Sequence, residues 1–184
     1  GVLAGAARGN DVELVSWCET AVPAAVLGDP TRLSQVLMNL VSNGVKFSSG
    51  GEVAVRVAVV AEEEGRVQLR FEVADDGIGI EEGQLEHLFE PFTQADASTT
   101  RRFGGTGLGL SIAREIVTAL GGDISYERRP GGGSIFSFTV WCDARAADLD
   151  APDGLDGLDD LDDYGRTWLG GRRVLVAEGS TSRS

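Results

Sequence analysis

The chain has 184 residues, of which 42% are hydrophobic, and a formal net charge of −13. This length suits one domain of ordinary size with extensions, and no apolar run approaches the roughly 18 residues of a membrane-spanning helix. The acidic balance excludes a nucleic-acid partner, because neutralising phosphates requires clustered Lys and Arg. Two cysteines without metal-ligand spacing predict a reduced, cytoplasmic chain.

The chain has no initiator Met, and its first residues contain neither a basic region nor a long apolar core. We therefore expect no secretory signal and interpret the chain as a piece of a longer protein. Any attachment to a membrane would come from parts of that parent protein outside this sequence.

Hydrophobic periodicity predicts a strand at 11–18 and then a long helix. Asp29 is the expected N-cap of this helix, Pro30 its first residue, and the glycines at 50–51 its end. Clean alternation of apolar and polar residues across 53–73, interrupted by a polar turn, predicts an antiparallel hairpin.

The second half of the ordered region begins with a short predicted helix at 84–89, followed by a polar segment at 93–103. A further helix follows the glycine-rich run at 104–109 and is ended by the glycines at 121–122. Two more strands are expected around the glycine turn at 131–133. These elements predict an α+β fold: a two-layer sandwich with a mixed, mostly antiparallel sheet and helices on one face.

The composition changes after Cys142. Aspartate dominates residues 143–165, where Arg145 is the only basic residue, and such low-complexity acidic sequence is typical of a solvated linker. Its regularly spaced leucines leave open a helix induced by a partner. We assign 1–142 to one domain, 143–171 to an acidic linker, and 172–184 to the beginning of another unit that is too short to bury a core.

Asn39, Asn43 and Lys46 share one face of the predicted helix from Pro30 to Phe47, since they are separated by four and three residues. An amide oxygen is a hard ligand suited to Mg²⁺, and a Lys ammonium is a point charge for phosphate. Asn is a mediocre helix former, which favours a functional use of two amides on one face. On its own, this face is more often a solvated polar stripe.

Asp75 directly follows the second hairpin strand, in the sequence Asp-Asp-Gly-Ile-Gly. A carboxylate at this point can accept a hydrogen bond from the exocyclic amine of adenine, and Gly77 and Gly79 would let the backbone approach the ring. An ordinary turn after a strand is the alternative interpretation, because Asp and Gly are the usual turn residues.

Gly105, Gly107 and Gly109 alternate with Thr106 and Leu108 at the start of the next helix. Without a Cβ, these glycines let backbone N–H groups approach a phosphate chain, and a helix N-terminus suits an anion. A dinucleotide-binding loop should directly follow a buried strand, whereas polar residues precede these glycines. We therefore exclude a Rossmann fold.

Four motifs in a fixed order resemble the signature boxes of sensor histidine kinases. The segment 29–47 resembles the N box, Asp75-x-Gly-x-Gly the G1 box, 88–94 the F box and 101–110 the G2 box. The similarity covers residues 10–142 and is typical of large, often hybrid, histidine kinases. It implies the Bergerat ATP-binding fold, which gyrase, MutL and related chaperones share.

The resemblance also implies Mg-ATP as the ligand and assigns a role to each matching residue. Asp75 would bind adenine, Asn43 would coordinate Mg²⁺, and Asn39 and Lys46 would support the phosphates. The segment 93–103 would be an ATP lid. The lid and phosphate contacts would come from Phe92, Arg101, Arg102, Gly105, Thr106, Gly107, Leu108 and Gly109, with an arginine reaching the γ-phosphate and Phe92, beside Phe89, anchoring the lid.

Histidine kinases phosphorylate a histidine on a separate dimerisation domain, which this chain lacks. Its only histidine, His87, is interpreted as a surface residue. The implied partners are a dimerisation and phosphoacceptor domain and a response regulator or receiver domain. The run 174–180 resembles the first strand of a receiver, with Gly179 in place of one acidic residue. The alternatives are a non-catalytic nucleotide-sensing or docking module, and an ATPase or serine kinase on the same fold.

Overall fold

The computed structural model describes residues 2–23, 25–91, 107–144 and 175–178. Four helices and seven strands lie in these ranges. In chain order they are α1 (Val2–Gly9), β1 (Glu13–Cys18), β2 (Ala25–Gly28), α2 (Pro30–Phe47), β3 (Glu52–Glu63), β4 (Arg66–Asp75), α3 (Glu82–Leu85), α4 (Gly109–Ala119), β5 (Ile124–Arg128), β6 (Ser134–Asp143) and β7 (Leu175–Glu178).

The seven strands form one sheet in the order β1, β3, β4, β6, β2 and β7, with β5 also paired to β6. The pairs β1–β3 and β2–β7 are parallel, and the other four are antiparallel. Along the edge that does not face β4, β6 pairs with two strands: β5 pairs with its beginning and β2 with its last residue. This arrangement confirms the predicted α+β fold with a mixed, mainly antiparallel sheet.

Helices α1, α2 and α4 cover one face of this sheet. The alternation predicted for the hairpin decides which side chains meet them, because successive residues of a strand point to opposite faces. Phe71 of β4 and Phe138 of β6 stack at 4.9 Å between ring centroids, and each is at most 2% exposed. The other buried core side chains of β3, β4 and β6 are Val53, Val55, Val57, Val67, Leu69, Val73, Phe136, Val140 and Cys142.

Helix α2 begins as the sequence predicts. The Asp29 carboxylate accepts the Arg32 N–H at 3.0 Å, and Pro30 is the first helical residue. The predicted span from Pro30 to Phe47 is confirmed, and Ser48 already has extended backbone, so the glycines at 50–51 lie beyond the end of the helix. The glycines at 50–51 instead turn the chain with φ of +86° and +81°, and Gly50 donates its N–H to the Asn10 carbonyl at 2.9 Å.

Other boundaries differ in detail. The short helix predicted at 84–89 is α3, which spans only Glu82–Leu85. Helix α1 and strand β2 were not predicted. The end of α4 is as predicted: Gly121 has a φ of +75°, and Gly122 donates to the Val117 carbonyl at 3.0 Å.

Strand β7 lies beyond the acidic segment and runs parallel to β2, with Leu175 opposite Ala25 and Glu178 opposite Gly28. The linker predicted before it lies outside the described residues, and the division of the chain at 142 and 171 stays a prediction. No helix in the described part of the chain is long and apolar enough to cross a membrane.

Candidate functional site

Asp75 ends the central strand β4 and is only 5% exposed. One of its carboxylate oxygens, Oδ1, accepts the Gly77 N–H at 2.8 Å and the Ser134 N–H at 3.3 Å. Burial raises the pKa of this carboxyl, while the two N–H groups and the nearby Arg129 act in the opposite direction. The carboxylate therefore has a fixed orientation, and the two N–H groups and Arg129 partly offset the cost of burying its charge.

The turn after Asp75 can be built only with glycine. A Cβ on Gly77 would lie 2.7 Å from the Asp75 Oδ1 and 2.7 Å from the Phe47 carbonyl oxygen. Gly79 has a φ of +70°, and a Cβ there would lie 3.2 Å from the carbonyl oxygen of Gly133. The sequence predicted these glycines for approach to a ligand, and the structure shows that the protein's own backbone also requires them.

Helix α2 meets this turn at a further glycine. A Cβ on Gly44 would lie 3.4 Å from the Asp75 Cβ and 3.2 Å from the γ-carbons of Val53. Glycine within a helix costs about 1 kcal/mol relative to alanine, but here it lets α2 pack closely on β3 and β4. The buried carboxylate consequently lies against the same helix that carries Asn43.

The amide groups predicted on α2 form a chain of hydrogen bonds. Asn43 Nδ2 donates to Asn39 Oδ1 at 3.5 Å, and Asn39 Nδ2 donates to the Gly109 carbonyl. A Cβ on Gly109 would lie 2.5 Å from Asn39 Oδ1, so a larger residue here would displace the Asn39 side chain. Asn39 therefore connects α2 to the first residue of α4, and its contact with Asn43 uses the Asn43 nitrogen rather than the carbonyl oxygen.

Lys46 is one turn further along α2, where its ammonium lies 4.9 Å from the centroid of the Phe47 ring. This position is within the range of a cation–π contact. Lys46 is thus held at the C-terminal end of α2, next to the Phe47 carbonyl that receives the Ile78 N–H at 3.3 Å.

Helix α4 begins at the last glycine of the G2-like run. Gly107 has a φ of +68°, and the Ser111 hydroxyl donates to the Leu108 carbonyl at 2.9 Å. The first turn of α4 carries no acidic side chain, so no carboxylate of that turn competes for its N–H groups. The Arg114 guanidinium of the same helix lies 5.9 Å from the Phe89 ring centroid, which connects α4 to the F-box-like segment.

The predicted site residues divide into three sets. Asp75, Gly77 and Gly79 lie together at the end of β4, beside α2. The second set lies where α2 meets α4: Asn43 contacts Asn39, and Asn39 contacts Gly109. This set also includes Lys46 on α2 and Gly107 and Leu108 just before α4. The third set lies outside the described residues and consists of Phe92, Arg101, Arg102, Gly105 and Thr106, together with the predicted lid at 93–103.

Four residues around Asp75 were not predicted. Ser134 donates to its carboxylate, Asp76 and Arg129 form an ion pair of 2.6 Å, and the Tyr126 hydroxyl accepts the Ile80 N–H at 3.1 Å. Each lies across a long sequence separation from its partner, so no spacing in the sequence reveals it. The one available signal is the glycine turn at 131–133, which marks a close backbone approach.

The residues present fit a nucleotide better than a metal bound by protein alone. The described residues contain no group of three or more His, Cys, Asp or Glu that could hold a metal ion. An acceptor carboxylate, an amide oxygen and a helix N-terminus are instead the groups that contact adenine, a phosphate-bound Mg²⁺ and an anion.

Comparison with known proteins agrees with this chemistry. Residues 28–144 match the family of histidine kinase-, DNA gyrase B- and HSP90-like ATPases. The chain is 49% identical over 134 residues to the sensor histidine kinase AruS of Pseudomonas aeruginosa, and 42% identical over 130 residues to the hybrid signal transduction histidine kinase F of Dictyostelium discoideum. The alignments cover 73% and 70% of this chain but only 13% and 12% of these relatives.

Solved structures show the same fold. Full-length ShkA in complex with AMPPNP aligns with a TM-score of 0.65 and 31% identity, over 79% of this chain and 29% of ShkA. The catalytic domain of histidine kinase ThkA aligns with a TM-score of 0.56 and 27% identity, over 76% of this chain and 84% of that domain. The chain therefore belongs to the histidine kinase-, DNA gyrase B- and HSP90-like ATPase family, and it carries an ATP-binding catalytic domain of the sensor histidine kinase type.

Proposed function

We propose that this chain binds Mg-ATP and delivers the γ-phosphate to a histidine on a dimerisation domain that lies outside this sequence. The observation that supports this function best is the position of Asp75: a buried carboxylate, fixed by two backbone N–H groups, against the helix that carries Asn39 and Asn43. A simple turn after a strand has no need of a buried acidic side chain, since burying a charge is costly.

Asp75 selects the base in this proposal. In the described part of the chain, both hydrogen bonds that the structure gives its carboxylate end on Oδ1. Oδ2 is therefore the atom that would accept a hydrogen bond from the exocyclic amine of adenine. Guanine presents an oxygen at the same position of the ring, so the carboxylate would repel it and favour ATP over GTP.

The phosphates would lie between α2 and the start of α4. Asn43 would use its carbonyl oxygen as a ligand for Mg²⁺, Lys46 would supply a positive charge, and Gly107 and Leu108 would present backbone N–H groups. Bound Mg²⁺ supplies charge neutralisation on the phosphate oxygens. Phosphoryl transfer depends mainly on positioning and on such neutralisation, and Arg101 and Arg102 are our candidates for contact with the γ-phosphate.

The remaining parts of the reaction belong to the parent protein. We propose a cytoplasmic location for this domain, a dimerisation and phosphoacceptor domain as its substrate, and a response regulator or receiver domain as the subsequent acceptor. The relatives support this proposal, because the matched segment is a minor part of each and their names describe hybrid and sensor kinases.

Calorimetric titration with Mg-ATP tests the site. We expect saturable binding by the wild-type chain and a loss of at least about tenfold in affinity for Asp75→Asn, because a hydrogen bond to a charged group is worth roughly 1.5–3 kcal/mol. Glu63→Gln is the matched control, since Glu63 is an exposed carboxylate at the other end of the hairpin. Equal ATP affinity for Asp75→Asn and the wild type would remove Asp75 from its role.

Labelled ATP tests the reaction. The chain is incubated with γ-labelled ATP and the purified dimerisation domain of AruS, the relative with 49% identity. We expect acid-labile label on the added domain, as a phosphohistidine gives, and none when Asn43→Ala replaces the wild type. Tight ATP binding without any transfer to that domain would favour the nucleotide-sensing alternative.

A further inference from the structure

We propose that the Asp76–Arg129 ion pair positions the Asp75 carboxylate for adenine recognition, so that Asp76 and Arg129 are positioning residues of the nucleotide site. This inference rests on the proposed function, because it concerns the same carboxylate. Neither residue would touch the nucleotide in this proposal; both would act through the turn that carries Asp75.

The Asp76 carboxylate joins two parts of the sheet that lie far apart in sequence. Its Oδ1 accepts from Arg129 Nη1 at 2.6 Å, and its Oδ2 accepts the Glu52 N–H at 2.9 Å. The Asp76 N–H donates in turn to the Glu52 carbonyl at 3.2 Å. Asp76 is thus bonded through three separate atoms, which fixes the chain immediately after Asp75.

Arg129 holds the other side of the site. It lies just before the turn between β5 and β6, where its N–H donates to the Gly133 carbonyl at 3.2 Å. The next residue, Ser134, donates its N–H to the Asp75 Oδ1 at 3.3 Å. Because that bond is long, a small displacement of the turn would break it, and the Arg129 ion pair opposes such a displacement.

Packing around the ion pair leaves little space for adjustment. A Cβ on Gly51 would lie 2.8 Å from the Asp76 Oδ2, and a Cβ on Gly133 would overlap the carbonyl oxygen of Asp75. The Arg129 side chain is 28% exposed and the Asp76 side chain 40%, so water screens the pair in part. Ion pairs on a fully exposed surface contribute little, whereas this one closes a tightly packed junction.

The charges of the pair also act on Asp75 in opposite directions. The Arg129 guanidinium lowers the Asp75 pKa, and the Asp76 carboxylate raises it. Glu52, at the beginning of β3, is the third charged group at this junction, 3.9 Å from Arg129. Removing Arg129 should therefore shift the acid limb of ATP binding to higher pH, and removing the charge of Asp76 should shift it to lower pH. A merely structural role for the two residues predicts no such opposite shifts.

The test compares ATP affinity across pH for the wild-type chain, Asp76→Asn, Arg129→Met and Arg129→Lys. We expect about tenfold weaker ATP binding for Arg129→Met and Asp76→Asn, as for the loss of one hydrogen bond to a charged group, together with the opposite pH shifts. Arg129→Lys keeps the charge and should recover part of the affinity without a pH shift. We also expect faster hydrogen exchange at the Ser134 amide in Arg129→Met.

Arg56→Met is the matched control, because it removes an arginine that pairs with Glu19 on the same sheet away from the site. Wild-type affinity and an unshifted pH limb in both Asp76→Asn and Arg129→Met would overturn the inference, provided that Asp75→Asn still weakens binding. If the wild-type chain bound no ATP, the proposed function itself would fail instead. Thermal melting of each variant separates loss of the site from loss of the fold, and the Arg129→Lys result decides the matter if Arg129→Met unfolds.

Discussion

Asp75 is the residue at which stability and function oppose one another. Its environment disfavours the charged form, since burial is the largest influence on its pKa. A side chain whose only task was to support the fold would be neutral or apolar at this depth. The cost of burying the Asp75 charge is explained if this carboxylate accepts a hydrogen bond from a ligand in a site shielded from water.

We expect Asp75→Asn to stabilise the nucleotide-free chain progressively more as the pH rises. The folded pKa of Asp75 lies above its unfolded value, so the folded state binds this proton more tightly. The contribution of Asp75 to stability is therefore greatest in acid, and it is lost as the pH rises from the unfolded pKa through the folded one. An Asn side chain can still accept both N–H groups through its oxygen and has no charge to bury.

Melting temperatures of both chains, measured from acid to neutral pH, check this expectation. The difference in favour of Asp75→Asn should widen with pH, while Glu63→Gln, which changes an exposed carboxylate, should follow the wild type. A difference that stays constant across the range would show that the charge of Asp75 is not what destabilises the folded chain.

At the scale of elements, α2 is the component on which the site depends. Its buried face fixes which side chains point towards the sheet, and its polar face carries Asn39, Asn43 and Lys46. The N-cap Asp29 orients the beginning of this helix, where the short strand β2 leads into it. Removing the N-cap side chain would therefore affect the site only by lowering the stability of the whole helix.

We expect Asp29→Ala to lower the free energy of unfolding by about 1 kcal/mol, the usual effect of removing an N-cap side chain. The Asp29–Arg32 ion pair, at 3.3 Å with both side chains about half exposed, should add little. Asp29→Asn separates the two effects, since Asn keeps the cap and removes the charge. Urea unfolding of the three chains is the measurement, and equal losses for Ala and Asn would assign the effect to the ion pair.

The elements that the sequence predicts well are those with strong local signals. The Asp29-Pro30 pair marks the start of α2, and alternation marks β3 and β4. Helix α1 and strand β2 were not predicted, for physical reasons. Helix α1 contains Gly5 and Gly9 and few large apolar side chains, and β2 is four residues long, too short for a periodicity. Both are stabilised by contacts with α2, β1 and β6, which local sequence does not encode.

The same distinction between local sequence signals and long-range contacts applies to the site. Asp75 and the amide groups of α2 were predicted because each lies in a local pattern with a recognisable chemistry. Ser134 and Arg129 were not, because their contacts with the Asp75–Asp76 turn arise from the pairing of β4 with β6 and from the turn before β6. The register of that pairing is a property of the sheet rather than of either segment.

On the scale of the whole molecule, the family match covers most of the folded core, but α1 and β1 precede it and core residues Ala7, Val12, Val22 and Val26 lie outside it. The match begins at residue 28 and ends at residue 144, where the Ala144 N–H donates to the Gly65 carbonyl at 2.9 Å. Strand β7 lies outside this range, yet it extends the sheet beyond β2. The sheet therefore contains strands from both sides of the family match, with β1 before it and β7 after it.

Pairing between β2 and β7 should contribute little net stability. Four paired residues supply a few hydrogen bonds of about 1 kcal/mol each, while connecting the strands through residues 145–174 costs about 3 kcal/mol of chain entropy. We expect a chain that ends after Ala144 to bind Mg-ATP within about twofold of the full chain, because no described hydrogen bond joins Asp75, Asn39 or Asn43 to β7. A twofold change in affinity corresponds to only about 0.4 kcal/mol.

In this experiment, hydrogen exchange shows which strands depend on pairing with β7. The amides of Ala25–Gly28 should exchange faster in the shortened chain, because β2 becomes an edge strand there, whereas amides of β4 and β6 should keep their protection. Calorimetry on the same two chains measures the nucleotide affinity. A large loss of ATP binding on removing residues 145–184 would mean that the edge of the sheet next to β2, and not the family core alone, maintains α2 in its binding geometry.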